Sequence, residues 1–365
     1  MEYKYKHLIT QNIAPIGAKS IGVYDSGGNR VCVIPLGKMT HPVRQKLYSF
    51  GLVSDIHLLE TEPSWNANTK FDKALSYFEN QECVFCCVSG DLTQTGLYKR
   101  TVESDASTTY FDASQLAKYK EICDKHTIPV YEITGNHESY YGMSITNNLD
   151  KWETYTGKNV LAYTVSQGDE LFIFVGQPKV TIPPISDEDL QWLYETLETN
   201  RNKRCFIFVH SHISSGNPLG AYTSNNYFAG WGTKTTVFKN LLSHYKNTIL
   251  LHGHSHFTFE CQEDDEVANY SENDGFKSIH IPSLSRPCDI VDGVRTTRDS
   301  KSQGYLVDVY DDYIVLNGIG LTGITSADVA SKQYQPCPLG TFKIDTPLVT
   351  VAANTFVDNT GTITT

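Results

Sequence analysis

Five short apolar runs along this chain each end in side chains that can ligate a metal ion or carry a proton. The last run includes Leu250 and Leu251 and leads into Gly253-His254-Ser255-His256. A short apolar run closed by turn residues is typical of a buried strand. The carboxyl ends of parallel strands lie at one edge of an α/β sheet, where sites form. The five strand ends carry Asp55, His57, Asp91, Asn136, His137, His210, His254 and His256.

Strand and helix patterns alternate between these runs. In the first half of the chain, a strand pattern precedes an amphipathic helix pattern twice, and a third strand pattern follows. Such alternation is typical of an α/β fold. The predicted strands are 47–53, 83–88, 128–133, 160–165, 171–175, 204–209, 248–251, 277–281, 304–309 and 312–316, and the predicted helices are 69–80, 111–126, 186–200 and 233–245.

The two ends of the chain lack these ligand-type clusters. Residues 20–24 and 30–34 flank a turn sequence and predict a small β-hairpin. The C-terminal stretch is rich in Thr, Val and Ala and has weak strand character. We therefore predict an N-terminal β appendage (1–46), a central α/β domain (47–320) and a β-rich tail (321–365). The two end segments could be simple extensions or could mediate oligomerisation or assembly.

Charge and cysteine usage limit the classes of function. The chain has 30 Lys and Arg against 41 Asp and Glu, a formal charge of −11, which disfavours general nucleic-acid binding. No stretch reaches the roughly 20 apolar residues of a membrane span, and no signal-peptide pattern follows Met1. Nine cysteines are scattered, and the Cys83-x-x-Cys86 pair lies in an apolar run that predicts strand filler rather than zinc ligands. A cytoplasmic location is expected.

The donor types at the strand ends indicate which metals fit. Seven or eight oxygen and nitrogen donors are present without a thiolate, enough for two cations that share a bridging ligand. Carboxylate and imidazole donors favour Mn, Fe or Zn over Cu(I). Two such ions a few Å apart can polarise a phosphoryl group and activate a water molecule.

Taken together, five sequence blocks resemble the calcineurin-like metallophosphoesterases. The resemblance covers roughly residues 47–318, with the blocks in family order. It implies a four-layer α/β/β/α sandwich and hydrolysis of a phosphate ester by a metal-bridging hydroxide. The matching blocks are Asp55-x-His57, Gly90-Asp91, Gly135-Asn136-His137-Glu138, His210 and Gly253-His254-Ser255-His256.

The resemblance also implies a role for each matching residue. His137 would not ligate a metal but would lie over the phosphate, where it protonates the leaving oxygen or stabilises the transition state. Asp91 would bridge both metals. The first metal would be bound by Asp55, His57 and His256, and the second by Asn136, His210 and His254.

Several assignments have alternatives. His210 and His212 compete for one ligand position, and His210 is preferred because it directly follows the apolar strand. His252 and Glu138 are expected to support the site rather than to ligate. Aromatic residues near the blocks could line a substrate pocket or pack on one another. They are Tyr140, Tyr141, Tyr222, Tyr227 and Trp231.

The sequence does not decide which class of phosphate ester is the substrate. The ligands are shared by monoesterases and diesterases, and the lack of a large cap domain favours an accessible site and hence a phosphodiester. An alternative function is a structural or attachment protein of a phage tail or surface assembly that carries a phosphoesterase module. Such a module could act on a cell-envelope phosphodiester polymer such as teichoic acid, and the protein would then lie in the virion.

Overall fold

Two β-sheets face each other at the centre of the fold, and helices cover the outer face of each. This arrangement confirms the predicted four-layer α/β/β/α sandwich. The aromatic loop with Tyr222 and Tyr227 and the acidic turn at 263–266 lie outside the described residues. The computed structural model describes residues 20–24, 30–35, 45–96, 98–100, 109–111, 113–142, 145–181, 183–213, 231–262, 269–272, 275–292, 294–325 and 327–353.

The chain forms the following helices and strands, numbered in order. The α-helices are α1 (Ala67–Asn80), α2 (Ser114–Cys123), α3 (Leu149–Thr156), α4 (Asp187–Thr199) and α5 (Thr235–His244). The strands are β1 (Ser20–Tyr24), β2 (Arg30–Pro35), β3 (Tyr48–Val53), β4 (Cys86–Val88), β5 (Tyr98–Arg100), β6 (Thr109–Phe111), β7 (Val130–Glu132), β8 (Ala162–Gln167), β9 (Glu170–Val175), β10 (Cys205–Phe208), β11 (Thr248–His252), β12 (Tyr270–Ser271), β13 (Lys277–His280), β14 (Cys288–Val291), β15 (Val294–Thr297), β16 (Ser302–Val309), β17 (Tyr313–Leu321), β18 (Gln335–Pro336) and β19 (Phe342–Asp345).

Each central sheet combines parallel and antiparallel strands. The first sheet has the order β18-β17-β16-β3-β4-β7, and β19 also pairs with β17. Its neighbours β3, β4 and β7 run parallel. The second sheet has the order β12-β13-β11-β10-β9-β8, and β9, β10, β11 and β13 run parallel. The parallel strands therefore end at a common edge in each sheet.

Three layers of apolar side chains hold the sandwich together. Between the sheets, Phe50 of β3 meets Phe172 and Phe206 of the second sheet at ring-centroid distances of 5.2 and 5.6 Å. Helices α1, α2 and α3 pack their apolar faces on the first sheet, and α4 and α5 pack on the second. Gly51 is needed on β3, because a Cβ there would lie 2.4 Å from the Phe78 ring of α1.

Helix spacing in the sequence explains two of the outer-layer helices. In α1, Phe71, Ala74, Leu75 and Phe78 recur at helical spacing, and all four are fully buried. Ser186 caps helix α4 as predicted, because its side chain accepts a hydrogen bond of 2.9 Å from the backbone N–H of Asp189.

Some elements differ from the sequence prediction. Strand β4 begins at Cys86 rather than at Cys83. Helix α3 and the β14–β15 hairpin follow no strong periodic pattern, and the sequence did not predict them. Strands β18 and β19 pair with β17, so part of the C-terminal stretch belongs to the first sheet. Strands β1 and β2 form the predicted antiparallel hairpin.

A buried amine ties α1 to the segments that precede and follow the β14–β15 hairpin. Lys70 of α1 is fully buried. Its Nζ donates hydrogen bonds of 2.6 Å to the Ser285 carbonyl and 2.8 Å to the Asp299 carbonyl. Burial lowers the pKa of Lys70 from its usual value of 10.5 to about 7.

The Lys70→Met variant tests this amine. Since the folded-state pKa is about 7 and the unfolded value is 10.5, the unfolded state binds more protons between these pH values. The amine therefore contributes stability that is full above pH 10.5 and is lost as the pH falls toward 7. We expect the free energy of unfolding of the native protein, relative to Lys70→Met, to rise with pH across this window in urea titrations.

Lys73→Met is the matched control on the same helix. The Lys73 Nζ donates to the Ala330 carbonyl at an exposed position. Parallel pH profiles for native protein and Lys70→Met would contradict the proposed contribution of Lys70.

Candidate dinuclear metal centre

The predicted ligands lie where parallel strands of both sheets end. Asp55 and His57 follow β3, Asp91 follows β4, and Asn136 follows β7 in the first sheet. In the second sheet, His210 follows β10, and His254 and His256 follow β11. Because the sheets face each other, their carboxyl ends contribute to one site.

The acidic and imidazole ligands form two groups that share one residue. Within each group, one potential ligand atom per residue lies within 4.8 Å of all the others. Asp91 belongs to both groups and can therefore bridge two cations. The first group is Asp55, His57, Asp91 and His256, and the second is Asp91, His210 and His254.

Electron-pair donors face each other in the first group. The Nε2 atoms of His57 and His256 are 3.1 Å apart, and His256 Nε2 lies 3.0 Å from Asp55 Oδ1. Asp55 Oδ1 is buried, and no hydrogen bond to it is found among the described residues. Acceptor atoms this close need a positive charge between them. A metal cation fits this position.

The second group gains an amide oxygen. His210 Nε2 lies 3.1 Å from both Asp91 Oδ2 and Asn136 Oδ1. The Asn136 Nδ2 group donates a 3.0 Å hydrogen bond to the Tyr140 hydroxyl. This bond orients the amide so that its oxygen, which can ligate a cation, faces the site.

Backbone carbonyls set the orientation of three site histidines. The Nδ1–H groups of His210, His256 and His137 donate to the carbonyls of Ser89 (2.8 Å), Arg286 (3.1 Å) and Gln94 (2.6 Å) respectively. A nitrogen that faces a carbonyl must carry the proton, so the Nε2 atom of each neutral ring has a lone pair. This pattern is usual behind metal-ligating histidines.

Backbone N–H groups hold the two carboxylates in place. The His254 N–H donates a 3.0 Å bond to Asp55 Oδ2, and the His137 N–H donates a 2.9 Å bond to Asp91 Oδ1. One oxygen of each carboxylate is thus engaged, and the other turns toward the histidines. Gly135 leaves room for this arrangement, since a Cβ there would lie 2.1 Å from Asp91 Oδ1.

The backbone at these turns adopts a strained conformation. Positive φ angles are rare outside glycine and cost on the order of 1–2 kcal/mol per residue. Such outliers cluster at functional sites, where the surrounding structure enforces them. Five predicted ligands have them: Asp55 (φ 53°), His57 (45°), Asp91 (49°), His254 (72°) and His256 (64°).

The electrostatics of the protein groups favour bound positive charge. Burial opposes ionisation, yet the neighbouring histidines hold the pKa values of Asp55 and Asp91 below their usual range. Burial would lower the imidazole pKa values, but the carboxylates raise the pKa of His210 to about 9 and that of His256 to about 10. Bound cations would supply the same compensation and displace these protons.

His212, the alternative to His210 as a metal ligand, lies beside the two donor groups. His212 is buried, and its ring centroid is 6.0 Å from that of His254 and 6.2 Å from that of His252. His210, in contrast, contacts Asp91 directly. The geometry is consistent with His210 as ligand, and the assignment stays a prediction.

Glu138 accepts hydrogen bonds from the N–H groups of Thr93 (2.9 Å) and Gly135 (2.6 Å) and so braces the turn that carries Asn136.

His137 lies at the edge of the centre. Its Nε2 is 3.7 Å from Asp91 Oδ2, and its ring centroid lies 4.1 Å from that of Tyr140, with the two rings tilted by 35°. It belongs to neither donor group. Burial lowers the pKa of His137, so a proton on Nε2 is easily given up.

The centre lies in a cavity of about 700 Å³. Tyr140 lines it, whereas Trp231 is buried in the helical layer, with its ring 3.9 Å from that of Phe238. The cavity is also lined by four residues that were not predicted from the sequence: Gln94, Gln177, Arg286 and Arg295. These residues lie outside the five blocks, and no pattern in the sequence marks them.

Comparison with known proteins identifies the family. The profile of the calcineurin-like phosphoesterases matches residues 48–257, more than half of the chain. The chain belongs to the calcineurin-like phosphoesterase family. It is therefore a metal-dependent phosphoesterase, and the two donor groups indicate a dinuclear metal site.

This calcineurin-like phosphoesterase is similar to solved structures, one of which shares its fold. A dimetal phosphatase from Danio rerio has a TM-score of 0.51 and 14% identity, over 77% of this chain and 100% of that chain. The phosphoesterase YfcE from E. coli has a TM-score of 0.32 and 11% identity, over 82% and 99% of the two chains. No significant match was found among curated proteins. No helix in the described part of the chain is long and apolar enough to cross a membrane.

The Gly135→Ala variant tests the bridging carboxylate. The added Cβ would lie 2.1 Å from Asp91 Oδ1 and 2.5 Å from the Asp91 nitrogen, so Asp91 must move. Since Asp91 belongs to both donor groups, we expect loss of most bound metal with the fold retained. Metal content by plasma mass spectrometry and circular dichroism would measure the two effects.

Gly157→Asn serves as the control for Gly135→Ala. Nothing lies within 4 Å of a Cβ at Gly157, and asparagine tolerates its φ of 73°. Full metal content in Gly135→Ala would exclude Asp91 as the shared ligand.

Proposed function

We propose that this calcineurin-like phosphoesterase hydrolyses a phosphodiester at two bound metal ions, each Mn, Fe or Zn. The observation that supports the proposal most directly is the position of Asp91, shared by two donor groups at the base of the cavity. A phosphate ester that enters the cavity would meet both groups and His137 together. Two adjacent cations suit in-line displacement at phosphorus, because they stabilise both the attacking and the leaving oxygen.

Each residue has a role in the proposed reaction. Bound cations would supply Lewis acidity and lower the pKa of a water molecule. His137 would hold a proton at Nε2, and Gln94 would orient its ring through the 2.6 Å bond at Nδ1. That proton would pass to the leaving oxygen. Asp55, His57 and His256 would hold one cation, Asn136, His210 and His254 the other, and Asp91 both.

The space in the cavity favours a phosphodiester substrate over a phosphomonoester. A diester has a substituent on each side of the phosphorus and needs space in two directions. The cavity lining includes Tyr140, which contacts Asn136 at 3.0 Å, and Arg295, which bonds the Ser255 carbonyl beside His256 at 3.3 Å. A volume of about 700 Å³ lies within the usual range for sites that hold a small organic ligand.

The His137→Ala variant tests the proposed reaction. Because His137 transfers a proton without ligating metal, we expect its loss to reduce kcat by roughly a hundredfold or more, with metal content unchanged. The native Mn²⁺-loaded protein should hydrolyse bis(p-nitrophenyl) phosphate with a higher kcat/KM than p-nitrophenyl phosphate. Nitrophenolate release and metal analysis measure both quantities.

His244→Ala is the control, since His244 of α5 does not line the cavity and contacts the Ala352 carbonyl (3.0 Å) and the Tyr245 ring. Joint loss of metal and activity in His137→Ala would assign His137 to the ligands instead. A native protein that holds two metals and cleaves neither ester would refute the proposed function.

A second candidate function, attachment within a phage tail or surface assembly, rests on the N-terminal hairpin. Strands β1 and β2 pair only with each other among the described strands. The proposed appendage at 1–46 is thus separable from the sandwich, whereas β18 and β19 of the 321–365 segment pair with β17. The enzyme could then act on a cell-envelope phosphodiester polymer.

Deletion of residues 1–44 tests the attachment role. We expect the shortened chain to keep its hydrolytic activity and to lose self-association, measured by light scattering as a lower molar mass. An unchanged molar mass and unchanged binding to cell-envelope polymer would count against the attachment role. Truncation after residue 353 is the control at the other end, because it keeps β18 and β19.

A further inference from the structure

Two arginines form a cationic wall on one side of the cavity. Arg286 and Arg295 are the Lys or Arg residues that line it among the described residues. The chain as a whole carries a formal charge of −11. Positive charge at this place therefore runs against the overall balance, and it adds to that of any bound cations. Such a wall attracts anions into the cavity.

The first arginine is held firmly beside the metal centre. The Arg286 carbonyl accepts the 3.1 Å bond from His256 Nδ1, so the residue adjoins a predicted ligand. Its guanidinium lies 4.7 Å over the Trp65 ring, and its Nε is 3.5 Å from Asp299 Oδ1. Lys70 fixes the neighbouring Ser285 carbonyl at 2.6 Å. These contacts orient the side chain before any substrate binds.

The second arginine comes from the β14–β15 hairpin. Arg295 is exposed, and its Nη2 donates a 3.3 Å hydrogen bond to the carbonyl of Ser255. Ser255 separates the predicted ligands His254 and His256 in the chain. Both arginines thus contact the segment that carries His256, Arg286 through its backbone carbonyl and Arg295 through its guanidinium.

Uncharged residues also line the cavity. They include Tyr140, Val180 and Pro184, and the Tyr140 hydroxyl accepts a 3.0 Å hydrogen bond from Asn136. The segments around Tyr140 and Val180 adjoin each other, since the Ser139 hydroxyl donates to the Pro178 carbonyl at 3.2 Å. The lining therefore combines cationic residues with neutral, partly apolar ones. A substrate that contacts both kinds of residue carries an anionic group as well as an uncharged part.

We propose that Arg286 and Arg295 form a subsite for a second phosphate group of the substrate, separate from the phosphate cleaved at the metal centre. Guanidinium groups match phosphate oxygens with paired N–H donors. This inference rests on the proposed function, and it narrows the substrate class to phosphodiesters or phosphoanhydrides that carry a further phosphate.

Binding of matched ligand pairs to Mn²⁺-loaded protein tests the subsite by calorimetry. The pairs are thymidine 3′,5′-bisphosphate with thymidine 5′-monophosphate, and ADP with AMP. We expect the native protein to bind the doubly phosphorylated member of at least one pair roughly tenfold more tightly, as hydrogen bonds between charged groups allow. Arg295→Gln and Arg286→Gln should each reduce this ratio toward one and leave binding of the monophosphates unchanged.

Matched variants separate the subsite from effects on folding. Arg298→Gln is the control, because Arg298 lies near the same hairpin and bonds Asp289 Oδ2 at 2.7 Å but does not line the cavity. Arg295→Lys keeps the charge without the paired donors and should retain part of the preference. If Arg286→Gln unfolds through loss of its contact with Trp65, Arg295→Gln still decides the result.

Hydrolysis of thymidine 5′-(p-nitrophenyl phosphate), with and without a 3′-phosphate, distinguishes failure of the subsite from failure of the proposed function. Equal affinity within both ligand pairs, or a preference that survives Arg295→Gln and Arg286→Gln, would overturn the subsite even if both esters are cleaved. Arginine-dependent binding without cleavage of either ester would overturn the proposed function and leave the subsite standing. An equal loss of both activities in Arg295→Gln would assign the arginine to the scissile phosphate instead.

Discussion

The Asp91 carboxylate is the group around which the site is arranged. It is 1% exposed and lies within reach of both donor groups. A buried negative charge is costly unless nearby groups compensate it. The compensation comes from the His137 N–H at 2.9 Å and from the imidazole of His210 at 3.1 Å. The glycine at 135 and the left-handed turn at Asp91 itself follow from the need to bring these groups so close.

The parts of the cavity differ in origin. The predicted ligands follow parallel strands of the two sheets, so the sandwich positions them. The side walls come from connecting segments, including the β14–β15 hairpin, which pairs with no other described strand. Chemistry at phosphorus is thus fixed by the sheets, whereas substrate choice depends on segments that can vary without disturbing the core.

The sequence predicted what depends on strand ends. Short apolar runs such as 205–209 and 248–251 mark buried strands, and parallel strands bring the residues that follow them together. It could not predict that Arg286 and Arg295 line the cavity, because Arg286 lies just before, and Arg295 within, a hairpin without a periodic pattern. The positive φ angle of His256 was equally hidden, since only tertiary contacts impose a left-handed turn on a residue other than glycine.

The division of ligands between the sheets has a thermodynamic consequence. Asp55 and Asp91 belong to one sheet, and His210, His254 and His256 to the other. A cation bound by residues of both sheets therefore cross-links the two halves of the sandwich at their common edge. An ion that binds only the folded chain stabilises it by about 2.7 kcal/mol at a concentration a hundredfold above its Kd. Metal supply would thereby set the lifetime of the folded protein as well as its catalytic rate.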